Sequence, residues 1–281
     1  MAALTIRNRG ERSYQCLASG ALQALSASNI SQKCALTLEV GKHWQGRQLS
    51  LTSSHLLTIP NRPGRPDRPE LVSAHKVPRR SLRSERGMIA LLHSIAHIEL
   101  NAIDLALDII ARFANQKMPR SFFDGWVQVA CEEAKHFNLL QNRLADFGAS
   151  YGDLPAHDGL WEAAQKTGHD LTARLAIVPL VLEARGLDVT PSLINQIQSL
   201  DDLKTAEIFQ TIYEDEKGHV AVGAKWFRFL CHKQGLDPAN TFQALVKRHF
   251  RGPLKPPFNE LARAKSGLTP MFYRALPPIS N

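Results

Sequence analysis

Two pentapeptides decide how this chain reads: Glu132-Glu133-Ala134-Lys135-His136 and Asp215-Glu216-Lys217-Gly218-His219. Each sets a glutamate three residues before a histidine, with a second acid just ahead of it. Residues three apart on a helix project from one face, a turn apart, so each pair can address neighbouring positions of one metal centre. Around the first pair the apolar residues Phe122, Trp126, Val129 and Leu140 fall on the same stripe. Upstream, Leu92, Ile95, Ala96, Ile103, Ala106 and Ile110 recur at helical spacing and carry Glu99 among them. Glu99 precedes Glu133 by 34 residues, and Glu183 precedes Glu216 by 33. One device therefore occurs twice: a single glutamate on one helix, and the Glu/His pair on the next.

Four carboxylates and two imidazoles balance two divalent cations, whereas the same charges left unpaired in apolar stripes would be very costly. Carboxylate oxygen and imidazole suit iron or manganese, and this ligand set is the one helical bundles use for paired metals. The expected ligands are Glu99, Glu133, His136, Glu183, Glu216 and His219, holding two Fe ions, or Mn, or a mixed Mn/Fe pair. Glu132 and Asp215 each lie four residues before the histidine of their own motif. They are expected to accept that imidazole's remaining N–H and so fix its tautomer. Lys135 and Lys217 read as surface residues and Tyr213 as a core tyrosine. His97 lies about 200° round the helix from Glu99, so His93 and His97 read as hydrogen-bonded histidines rather than ligands. Pro179, one turn before Glu183, should kink or bulge its helix beside the centre. No residue is assigned a catalytic role beyond metal binding.

The expected fold is all-α, a ferritin-like four-helix bundle with an extended N-terminal arm and peripheral helices. Residues 1–80 form a leader and arm, 81–236 the bundle, and 237–281 a C-terminal helical appendage and tail. In the leader, 17–25 reads as helix and 35–38 as helix or strand. Pro60, Pro63, Pro66, Pro69 and Pro78 make 60–80 an extended connector laid along the bundle. Helices are expected near 81–110, 121–147 (ended by Gly148), 159–167, 170–186 (closed by Gly186), 202–234 (ended by Gly235) and 238–250. Asp158 reads as an N-cap, and Thr190-Pro191 as the cap and first residue of a separate short helix to about 199.

The chain has 281 residues, a net charge of +8 and four cysteines with no CxxC pair, so neither a disulfide framework nor a thiolate zinc site is expected. Cys131, two residues before Glu133, reads as packing. The N-terminal heptapeptide lacks a continuous apolar run, and no stretch of 18 apolar residues occurs, which points to a cytoplasmic chain without a membrane anchor. Residues 62–86 hold eight basic side chains against three acids. That excess suits either a solvated arm packed on its own bundle or contact with nucleic acid.

The two pentapeptides resemble the paired motifs of acyl-carrier-protein desaturases and bacterial multicomponent monooxygenases, although Gly218 stands where a basic residue often precedes the histidine. The wider chain more closely resembles a ferritin-like family of unassigned function, through PGRPDRPEL (63–71), HSIAHIELNAID (93–104), YGDLPAHD (151–158), LEARGLDVTP (182–191) and KPPFN (255–259). That family is distantly similar to a tRNA hydroxylase built on the same bundle. The resemblance implies the fold and a di-iron centre, and leaves the substrate open. The expected activity is O2-dependent oxidation or hydroxylation of an unknown small molecule, with an unknown electron donor. The alternative is iron or peroxide handling without an organic substrate; a binding protein with a vestigial metal site is a third possibility. Oligomeric state is not legible.

Overall fold

A computed structural model describes residues 14–52, 57–250 and 253–274; the N-terminal heptapeptide lies outside them. The chain is all-helical. Among the described residues there is no strand, only the isolated bridges Cys16–Ser50 and Leu71–Ala156. Helices α1 (Leu17–Ser26) and α2 (Ile30–Gln45) are followed by the arm, then α3 (Glu85–Arg112), α4 (Arg120–Asp146), α5 (Gly159–Lys166) and α6 (Leu171–Ile177). A π-helical turn, Val178–Glu183, leads straight into α7 (Ala184–Gln198). Then come α8 (Leu203–Lys233), α9 (Pro238–His249), α10 (Glu260–Lys265) and α11 (Pro270–Tyr273). No helix among the described residues is long and apolar enough to cross a membrane.

Caps and stripes explain the long elements. The Ser84 hydroxyl accepts from Gly87 N at the start of α3, and Asp202 accepts from Thr205 N at the start of α8. Gly148 and Gly235 end α4 and α8 at φ +66° and +68°, a conformation that glycine adopts without steric cost. Helix α3 packs on α4, α7 on α8, and α4 on α8, with α1 and α2 laid against α3 and α4. The leader helices share the core: Leu17 and Trp44 are buried in the same apolar cluster as Phe122, Phe227 and Phe272.

The arm is pinned along the helices as its prolines suggested. Gly64 N donates to Leu25 O, and a Cβ at Gly64 would stand 2.2 Å from Ser26 O. Trp161 Nε1 donates to Asn61 O, and Arg112 Nη2 to Pro60 O.

Three local expectations need correction. Helix 170–186 does not close at Gly186, and Thr190-Pro191 does not open a new helix: the helical path runs unbroken through both. Pro191 cannot donate to the carbonyl of Leu187, but Asn259 Nδ2 does so instead at 3.2 Å, so the carbonyl that proline leaves free inside α7 is still satisfied. Asp158 stands at the start of α5 without capping it, because its carboxylate is held by Arg62 at 2.5 Å and Arg65 at 3.4 Å. Residues 35–38, left open between helix and strand, are helical.

Candidate metal centre

Glu99 comes from α3, Glu133 and His136 from α4, and Glu216 and His219 from α8, each at a break in a buried apolar stripe. Glu183 is the last residue of the π turn. Pro179 has no N–H, and the Ala184 amide reaches back five residues to Pro179 O. The proline ring lies against Gly223 of α8, where a Cβ would approach Pro179 Cβ and Cγ to 2.5 Å. The expected bulge beside the centre is therefore this π turn, and α8 makes room for it with a glycine.

Among the described residues, ligand-type atoms converge in two groups, Glu99–Glu133–His136 and Glu133–Glu216–His219, each within 4.8 Å. Glu133 belongs to both. His136 Nδ1 lies 3.2 Å from Glu99 Oε2 and 3.4 Å from Glu133 Oε2. His219 Nδ1 lies 3.0 Å from Glu133 Oε1 and 3.8 Å from Glu216 Oε2. Glu183 joins neither tight group. Its carboxyl still faces the centre closely enough for the charges of Glu133 and His219 to act on it.

The far nitrogens of the two imidazoles are also held, but crosswise. His136 Nε2 donates to Asp215 Oδ2 at 2.9 Å, and His219 Nε2 donates to Glu132 Oε2 at 2.8 Å. Each acid thus serves the histidine of the other motif rather than its own. The two acids are fixed differently: Lys135 Nζ donates to Asp215 at 2.8 Å, and Gln128 Nε2 to Glu132 at 2.9 Å. Lys135, read from sequence as a plain surface residue, is exposed and nonetheless anchors this network.

Protonation follows from burial. Burial pushes the Glu99 carboxyl up to about 8, helped by the charge of Glu133. It does the same to Glu183, also to about 8, and holds Glu216 well above its ordinary value. Burial also opposes charge on His136, but the adjoining carboxylates of Glu133 and Glu99 outweigh it and lift the imidazole to about 11. His219 is raised in the same way by Glu133 and Glu132. Glu133, between two imidazoliums, stays ionised far below the usual range despite its burial.

This donor set fits a pair of metal ions. Both oxygens of Glu133, one each of Glu183 and Glu216, and His219 Nδ1 are buried without a hydrogen-bond partner. His219 Nδ1 and Glu133 Oε1 approach to 3.0 Å without the alignment of a hydrogen bond, so both atoms remain available to a third body between them. Loss of the Nδ1 proton leaves each imidazole neutral, with Nε2–H on its crossed acid and Nδ1 free to ligate.

The remaining candidates fall outside the centre. His93 accepts from Gly152 N, and His97 bonds to Tyr151 Oη and His157 O. Tyr213 is half-buried, and its hydroxyl accepts from Asn259 Nδ2. Cys131 packs against Gly41, and all four cysteines are free thiols.

An all-helical protein with a buried Glu/His group able to bind metal is the class that fold and site define. The chain belongs to the family described as "Protein of unknown function (DUF455)", whose model matches residues 26–274. It is similar to a Haemophilus influenzae protein named "Uncharacterized protein", 39% identical over 254 residues that cover 88% of each chain. No solved structure matches it.

Proposed function

We propose that the chain is a ferritin-like four-helix bundle whose Glu/His group holds two iron ions, or manganese in one or both positions. In this reading it is an oxidoreductase that activates O2 to oxidise or hydroxylate a small organic substrate, with electrons from an external donor. The observation that carries it is the convergence of Glu133, Glu216 and His219, whose buried ligand atoms lack hydrogen-bond partners, as does one oxygen of Glu183. Buried polar groups in folded proteins are otherwise nearly always satisfied. Iron bound there supplies the one-electron and O2 chemistry that side chains lack. Glu99, Glu133, His136, Glu183, Glu216 and His219 would hold it. Asp215 and Glu132 keep Nε2–H of the imidazoles in place, and the apolar stripes exclude water.

An organic substrate is favoured over ferroxidase or peroxide handling by a cavity of 320 Å³ lined in part by Ile98 and Leu182. These residues directly precede Glu99 and Glu183 in the chain. The test is O2 uptake by freshly purified protein loaded anaerobically with Fe(II). Uptake should require both histidines: His136→Ala and His219→Ala should lose metal and uptake yet stay helical, because the apolar stripes still pack. Unchanged uptake in both variants would sever the site from oxygen chemistry. Accumulation of an iron core in a multi-subunit shell would favour the ferroxidase reading instead.

A further inference from the structure

The 320 Å³ cavity lies between the arm (Val77, Arg80), α3 (Ser94, His97, Ile98), the loop 155–157, the start of α5 (Gly159, Leu160) and Leu182 of the π turn. Its volume is at the small end of the range for ligand sites. The space equals about ten water volumes, enough for an apolar body of about eight to ten carbons. No residue of α4 or α8 lines it. Those two helices are joined by the crossed pairs His136–Asp215 and His219–Glu132, whereas the cavity touches the two elements that carry Glu99 and Glu183.

The charge of the lining is one-sided. It contains Arg80 and no carboxylate. His97 offers no second free donor: both ring nitrogens are committed, to Tyr151 Oη and His157 O. The nearby acid Asp158 is engaged by Arg62 and Arg65. Arg80 itself is exposed, and no ion pair or hydrogen bond holds its guanidinium among the described residues. An apolar body seated on Ile98, Leu160 and Leu182 would thus have one unopposed cation among the lining residues, Arg80, whose fork of N–H donors suits a carboxylate or another oxyanion.

We propose that this cavity is the substrate site, and that the substrate is a small apolar molecule with one anionic oxygen group held by Arg80. The proposal rests on the oxidoreductase reading for the word substrate, while the binding site itself can be tested without it. The probe is decanoate, titrated calorimetrically into full-length protein with and without metal, with decanol and decyl phosphate as comparisons. Decanoate should bind once per chain in both states, since none of the six ligands lines the cavity. Decanol should bind at least tenfold more weakly. Arg80→Glu should weaken decanoate at least tenfold and erase its advantage over decanol, with Arg83→Glu as the unchanged control. Val77→Trp, on the arm, and Leu182→Trp should both fill the space and abolish binding; Val77 lies outside α1–α11, beside the short 3-10 turn Ala74–Lys76, so its variant separates loss of the cavity from misfolding of the bundle. Decyl phosphate tighter than decanoate identifies the anion as a phosphate, and the reverse order as a carboxylate. Decanoate that fails to bind, or binds equally to both tryptophan variants, overturns the site. Decanol equal to decanoate overturns the anionic class. Binding without O2 uptake leaves the site standing and removes the oxidoreductase reading; uptake without binding does the opposite.

Discussion

Glu133 joins the two ligand groups, so it is where a single substitution should do most damage. Glu133→Gln should remove metal at both positions, whereas Glu99→Gln removes a residue of one group only. The crossed acids give a sharper expectation. In double-mutant cycles on thermal unfolding, Asp215→Ala should couple to His136→Ala and Glu132→Ala to His219→Ala, each by about 0.5–3 kcal/mol, while same-motif combinations should be nearly additive. Coupling within each motif instead would return the acids to the positions their spacing suggests. The six candidate ligands stood out in the sequence because the Glu/His motif and its preceding glutamate repeat at nearly equal intervals, and the fold gathers five of them into the two Glu/His groups, Glu183 standing outside both. The crossing was not, since spacing reports neighbours on one helix and is silent about a facing one.

Protonation gives a second expectation at this scale. Glu99 and Glu183 have folded pKa values of about 8 against an ordinary 4.5, so the folded metal-free protein holds protons that the unfolded chain has released. Stability from these groups is present in full below about pH 4.5 and is lost as pH rises toward 8. His136, raised to about 11, continues the loss above pH 6.5. The metal-free protein should therefore melt at lower temperature at pH 8 than at pH 5.5, and metal should restore the difference by taking the place of those protons. A melting temperature that rises over this interval without metal would contradict the assignment.

At the scale of elements, the passage from α6 through the π turn into α7 sets Glu183. Gly223→Ala should destabilise by about 1–3 kcal/mol, because the new methyl meets the Pro179 ring, and it should lower metal content by shifting the π turn. Gly186→Ala should do the reverse. Nothing lies within 4 Å of its missing Cβ and the residue is inside α7, so alanine should stabilise by about 0.4–1 kcal/mol. Destabilisation there would mean that the helix ends at Gly186 after all. Stripes and terminal glycines made α3, α4 and α8 readable from sequence to within a few residues. Gly186 and Pro191 misled because both residue types usually mark helix ends, and the group that completes α7, Asn259, lies 72 positions from the carbonyl it caps.

Across the whole molecule, the arm and leader are structural parts of the site's surroundings. Pro60 and Asn61 are tied to α3 and α5, Gly64 is pressed on the end of α1, and Val77 and Arg80 wall the cavity beside α3. A buried Lys33 on α2 pairs with Asp104 of α3, one helical turn and a residue beyond Glu99. Proline spacing foretold the extended arm; its pinning points and the one-sided charge of the cavity depend on contacts between distant segments and carry no sequence signature. The account as a whole stands on the metal content of the chain. Freshly purified protein, and protein titrated anaerobically with Fe(II), should carry about two transition-metal ions per chain, falling to near zero in Glu133→Gln. Metal bound through cysteine thiolate, or saturation that is unchanged by Glu133→Gln, would contradict it.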